Sequence, residues 1–212
     1  MTSIEIAALN GTEVAYTDSG PSSGPTVIFS HGLLMDHTMF DPQVAALAGR
    51  ARVITWDERA HGRTRSPRPF TYWDSADDLF GLLDHLGVER AVLAGMSQGG
   101  FISLRAALTQ PDRVESLILM GTQAGVEDPE KQASYDMLHE IWNTQGPAPV
   151  QEIVASIILG DGDWSGWYAT WSEWAAAYDG EFTHAFRCLS DRDDITHRLG
   201  EITCRSDRKS VV

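Results

Sequence analysis

Gly95-Met96-Ser97-Gln98-Gly99 is the segment of this chain best equipped for covalent chemistry. An apolar run, Ala91 to Ala94, precedes it, and a helical pattern from Gln98 to Leu108 follows and stops before Pro111. A serine between two glycines at a strand-to-helix turn is lifted above the sheet edge, in the arrangement called a nucleophile elbow. The flanking glycines let the tight turn and its neighbours approach at little steric cost. Ser97 is therefore the candidate nucleophile for covalent catalysis. Attack by such a serine on an acyl carbon would need N–H donors for the developing oxyanion, a base for the hydroxyl proton and an acid to hold the base.

The elements that must position Ser97 are legible as alternating patterns. Ile4 to Ala7 and Val14 to Tyr16 read as a hairpin around Asn10-Gly11, a pair suited to a turn with two positive φ angles. Thr26 to Ser30 and Val53 to Trp56 are continuous apolar runs, as expected of strands buried on both faces. A helix from Phe40 to Ala48 lies between them. A second helix is expected to be capped by Asp74, with Ala76, Leu79, Phe80, Leu83 and Leu86 as its buried stripe and Gly87 at its end. Leu117 to Met120 forms a sixth strand. Strands alternating with helices imply a mostly parallel sheet, with the hairpin as an antiparallel edge. In such sheets the site lies at the carboxyl ends of the strands. His31-Gly32, Asp57, Ser97 and Gly121 all fall there.

From about Glu127 the alternation gives way to helices and loops rich in tryptophan. Trp164, Trp167, Trp171 and Trp174 recur at helical spacing. Such a stripe is a packing face, or the underside of a lid over the site.

Composition narrows the partners. The 212 residues hold 16 Lys+Arg against 30 Asp+Glu, a net charge of -14. An acidic surface argues against nucleic acid and anionic membranes, leaving a small-molecule substrate as the expected partner. Cys188 and Cys204 match no metal-ligand spacing, and two cysteines make no disulfide framework. No metal or cofactor site is expected. The first residues carry no basic segment and no long apolar run, so the expectation is a cytoplasmic protein without a signal peptide or membrane span.

On His31-Gly32, the turn from Asp57 to Ser66, the Ser97 elbow and the helical insertion after the sixth strand, the chain resembles the α/β-hydrolase fold family. It looks closest to lidded, cofactor-free esterases and lactonases, with perhydrolases beside them. The resemblance implies an α/β fold: a mostly parallel sheet with flanking helices and a helical lid. It divides the chain into a core at 1–126 and a lid at 127–204. It also implies that Ser97 attacks the acyl carbon while the backbone N–H groups of Leu33 and Gln98 bind the oxyanion. His31 then shapes its loop.

The family places its acid after the seventh strand and its histidine after the eighth. Here residues 205–212, Arg-Ser-Asp-Arg-Lys-Ser-Val-Val, follow Cys204. They read as an aberrant basic tail unable to make a buried strand, and the chain as a C-terminally truncated hydrolase. His61 is the best placed substitute base, ahead of His37, His85, His139, His184 and His197. Glu127 and Asp128 are the acids nearest the sixth strand. The expectations are an impaired serine hydrolase of small esters or lactones, a pseudoenzyme that keeps a ligand pocket, or a perhydrolase. The sixth strand is expected to be a bare apolar edge prone to self-association.

Overall fold

The computed structural model describes residues 3–21, 23–177 and 180–209. Its centre is a seven-stranded sheet in the order β1-β2-β4-β3-β5-β6-β7. β1 (Glu5–Leu9) and β2 (Thr12–Asp18) form the predicted hairpin, and β2 runs antiparallel to β4 (Arg52–Trp56). β3 (Thr26–Ser30), β4, β5 (Ala91–Met96), β6 (Val114–Met120) and β7 (Arg205–Lys209) are parallel to one another.

Side-chain alternation divides the core into two layers. Ile28, Ile54, Leu93 and Leu117 face α2 (Tyr72–His85) and α3 (Gln98–Thr109). Val27, Phe29, Val53, Val92 and Ala94 face the opposite side, against Phe40 and α1 (Asp41–Leu47). The apolar strand runs are thus buried on both faces, as their sequences require. The start of α2 corrects the sequence reading. Thr71 is the N-cap, and Asp74 is the third helical residue, closing a reciprocal capping box with it. Gly87 follows the helix at φ 64°.

Helices α4 (Pro129–Gln145), α5 (Gln151–Ile158), α6 (Ser165–Ala177) and α7 (Phe182–Ser190) lie between β6 and β7. Trp142, Trp171, Val150 and Val154 form the centre of their own cluster, with Leu34 of the sheet-end loop buried in it. The aromatic stripe of α6 is a packing face: Trp171 is fully buried within that cluster.

The C-terminal segment departs from expectation. Residues 205–209 pair in parallel register with Ser116 to Met120, so β6 is not a bare edge. Arg205, Ser206 and Asp207 are exposed. The strand forms through backbone pairing, without burying an apolar face. The rest of the expected tail, 210–212, lies outside the described residues. Among the described residues no helix is long and apolar enough to cross a membrane.

Candidate active site

Ser97 sits between β5 and α3 at φ 51° and ψ -113°. This is a sparsely populated conformation for a residue with a Cβ, and its cost persists only because the surroundings fix it. Three bonds do so. The Ser97 N–H donates to Met120 O at 2.9 Å, Thr122 Oγ1 donates to Ser97 O at 2.8 Å, and the Gly99 N–H donates to His31 O at 3.1 Å. A Cβ on Gly95 would overlap the Gly99 carbonyl, and one on Gly99 would overlap the Ser30 carbonyl. The two glycines allow strand, turn and neighbouring strand to meet.

The sequence-predicted trio is brought together. Leu33 and Ser97 line one cavity, and Gln98 follows Ser97 at the start of α3. Among the described residues, neither the Leu33 nor the Gln98 backbone N–H has a protein acceptor. Two free N–H groups beside a serine are what an oxyanion needs. The loop holding Leu33 is itself fixed. Leu34 adopts φ 62°, and its carbonyl accepts a 2.7 Å bond from Trp171 Nε1 of α6.

His31 is structural, as expected. Its Nδ1 donates to Gly32 O at 2.8 Å, and its Nε2 accepts the Glu58 N–H at 3.0 Å, joining the ends of β3 and β4. Burial lowers its pKa to about 4, so it is neutral. His61 packs edge-on against it and is lowered to about 3, by burial first. Its Nδ1 is committed to Arg59 O at 2.9 Å. His37 Nδ1 lies 2.7 Å from Oδ1 of fully buried Asp57. Burial pulls the His37 pKa down, but the Asp57 hydrogen bond and charge outweigh it and hold it above the ordinary value. His85 and His197 are exposed.

Neither candidate acid pairs with a histidine among the described residues. Asp128 caps α4, accepting the Glu130 and Lys131 N–H groups. Glu127 is held by Lys131 at 2.7 Å and by the buried guanidinium of Arg192 at 3.2 Å. The Ser97 hydroxyl makes no hydrogen bond to any imidazole among the described residues.

One residue, Glu58, escaped the sequence reading of the site, and a second, His139, entered it only as a lower-placed substitute base. Glu58 is buried beneath Gln98, whose Nε2 donates to Glu58 Oε2 at 2.6 Å; Tyr72 Oη donates to Gln98 Oε1 from the other side. Burial drives the Glu58 pKa well above the ordinary carboxylate value and the Asp57 charge adds to this, while the Gln98 bond opposes it. His139 of α4 lines the same apolar cavity as Ser97, with Phe101, Trp142, Phe182 and Phe186. Its signal was faintly present: Tyr135, Leu138, His139 and Trp142 fall at helical spacing, and all four line the cavity. The cavity holds about 120 Å³, and a wider, more polar groove that reaches Gln123 and Lys131 shares Ser97 and Leu33 with it.

The family model for the alpha/beta hydrolase fold matches residues 25–146, and the chain belongs to that family. It is 34% identical over 124 residues to 3-oxoadipate enol-lactonase 1 of Acinetobacter baylyi, a match covering 58% of this chain and 47% of that protein. Among solved structures it resembles a thermophilic esterase from Thermogutta terrifontis (TM-score 0.79, 25% identity, 98% of this chain and 79% of that one). It also resembles the enol-lactonase from Burkholderia xenovorans (TM-score 0.78, 27% identity, 97% and 80%). The chain spans about half the length of the curated relatives it matches.

Proposed function

We propose that the chain acts on a small carboxylic ester or lactone through an acyl-enzyme formed on Ser97. The observation that carries this reading is the strained Ser97 at a strand-to-helix turn, flanked by the unpaired N–H groups of Leu33 and Gln98. In this reaction Oγ attacks the carbonyl carbon, the two N–H groups hold the oxyanion, the bond to the alcohol oxygen breaks as that oxygen takes up the serine proton, and water then cleaves the acyl-enzyme to release the acid. Each oxyanion donor contributes about 3 kcal/mol to the transition state. Relatives named as an enol-lactonase and an esterase support the ester or lactone class.

The same site supports impaired turnover. A serine hydroxyl is a poor nucleophile until a base takes its proton, and no imidazole among the described residues is bonded to it. Acyl transfer then runs on binding and the oxyanion hole alone, several orders of magnitude below a complete triad. That observation favours a second reading, a ligand-binding protein that keeps the cavity without turnover. A fluorophosphonate probe with adduct mapping separates the two. Slow labelling at Ser97 that disappears in Ser97→Ala supports the hydrolase; a chain that stays unlabelled supports the binding protein.

A further inference from the structure

An N–H donor is aimed by the peptide group it belongs to. In a planar trans peptide the carbonyl points away from the N–H, so whatever holds the oxygen sets the direction of the hydrogen. The described residues contain no cis peptide. The Leu33 N–H shares its peptide with the Gly32 carbonyl, which accepts His31 Nδ1 at 2.8 Å and the Met35 N–H at 3.1 Å. The Gln98 N–H shares its peptide with the Ser97 carbonyl, which accepts the Gly100 N–H at 2.9 Å, the Phe101 N–H at 3.3 Å and Thr122 Oγ1 at 2.8 Å. Each oxyanion donor therefore has a turn N–H and a side chain gripping the far side of its peptide. The Gly100 and Phe101 bonds come from α3 itself and move with it. Thr122 lies two residues beyond β6, whose Met120 carbonyl takes the Ser97 N–H at 2.9 Å. Among the described residues its hydroxyl is thus the bond that ties the Ser97 carbonyl to the end of the sheet. Gly100 makes room for it, since a Cβ there would meet Thr122 Oγ1 and Cγ2 at 2.5 Å.

We propose that Thr122 is the positioning residue of the Gln98 oxyanion donor, the counterpart of His31 on the Leu33 side. This rests on the acyl-transfer reading of Ser97. Two effects follow from the bond. It fixes the tilt of the Ser97–Gln98 peptide, and a misdirected N–H weakens steeply as its angle to the acceptor falls. It also draws electron density toward Ser97 O, and hydrogen bonds in series strengthen one another by about 10–30%. Thr122 carries no step of the reaction itself, and its proton stays on Oγ1. The Ser97 carbonyl keeps its two helical bonds when the hydroxyl is removed, so no buried acceptor is stranded and the fold has little need of this hydroxyl.

The test is the kinetics of Ser97 labelling by an alkyl fluorophosphonate. In that reaction Oγ bonds to phosphorus, fluoride leaves, the serine proton passes to solvent and the phosphoryl oxygen takes the oxyanion position. Rates over a range of probe concentrations, read by intact mass, separate probe affinity from the maximal labelling rate. Thr122→Val keeps the branched shape and removes the hydroxyl. Its maximal rate is expected to fall about tenfold at unchanged affinity, a part of the roughly hundredfold or greater loss that follows removal of a whole donor. Thr122→Ala, which relieves any crowding at Gly100, is expected to show the same loss, and Thr122→Ser to recover most of the parent rate. Equal maximal rates in the parent and Thr122→Val overturn the proposal. So does a change confined to affinity, because Thr122 also lines the wider groove beside Ser97 and would then act by shape. A Thr122→Ser chain as slow as Thr122→Ala overturns it as well. A parent chain that stays unlabelled removes the acyl-transfer reading and the positioning role together. A labelled parent indifferent to the hydroxyl removes the positioning role alone.

Discussion

The side-chain amide of Gln98, the residue that follows Ser97, donates to the carboxyl of Glu58 across 2.6 Å. Glu58 is 2% exposed, and its second oxygen has no hydrogen-bond partner among the described residues. Its raised pKa means that the folded chain holds a proton that the unfolded chain releases above an ordinary value of 4.5. The native state therefore binds more protons, and stability falls as pH rises from 4.5 toward the native pKa. His37, also raised, adds to this alkaline limb above 6.5. Glu58→Gln keeps the shape and cannot ionise. It is expected to flatten much of the alkaline loss and to be more stable than the parent at pH 8, as read by thermal melts across pH.

The acid limb has a different origin. His31 and His61 are buried and neutral, with pKa values lowered to about 4 and about 3 from 6.5. As pH falls below 6.5 the unfolded chain takes up protons that these two sites refuse. Each histidine then costs about 1.4 kcal/mol per pH unit until its native pKa is reached. His61→Asn retains a donor for the Arg59 carbonyl and does not titrate. As pH falls from about 6 to 5, it is expected to lose about 1.4 kcal/mol less stability per pH unit than the parent, in urea titrations at each pH.

Strain at Ser97 is measurable without any substrate. A residue with a Cβ at φ 51° and ψ -113° costs about 1–3 kcal/mol, while glycine pays about 0.5–1 kcal/mol in unfolded-state entropy. Relief of strain wins that comparison. Ser97→Gly is expected to be more stable than Ser97→Ala by about 1 kcal/mol. Equal unfolding midpoints for the two variants would show a relaxed elbow.

What could be read in the sequence follows from what kind of interaction builds each feature. The runs Val27-Ile28-Phe29 and Val53 to Trp56 announced their strands because burial on both faces favours apolar residues at successive positions, with the hydroxyl of buried Thr55 satisfied by Thr17. The strand-to-helix turn at Ser97 was legible because an elbow is a local motif, whereas Leu33 and Gln98 were named from the family resemblance. β7 was not legible: Arg205 to Lys209 join the sheet through backbone pairing at an edge, which a hydrophobic pattern does not report. Thr71 was missed because Thr and Asp are both good N-caps, and the capping box uses the two at once. Glu58 and His139 could not be placed because their surroundings come from distant elements. Glu58 lies 40 residues from Gln98, and the partner of the His139 ring is on α7.

The bond from Trp171 Nε1 to Leu34 O spans 137 residues and ties the helical insertion to the loop that carries the Leu33 N–H. Trp171→Phe removes the donor and strands a buried carbonyl on a residue already held at φ 62°. The unpaired carbonyl costs about 1–3 kcal/mol, and the smaller ring adds a cavity penalty to it. Trp174→Phe is the matched control, since Trp174 is only partly buried and makes no hydrogen bond to the loop. Urea unfolding is expected to place Trp171→Phe well below Trp174→Phe in stability. Fluorophosphonate labelling of Ser97 should slow in the first variant alone, because only there does the loop lining the cavity lose its anchor. Equal losses in both would mean that the indole contributes through packing volume and that the loop is held in place by other contacts.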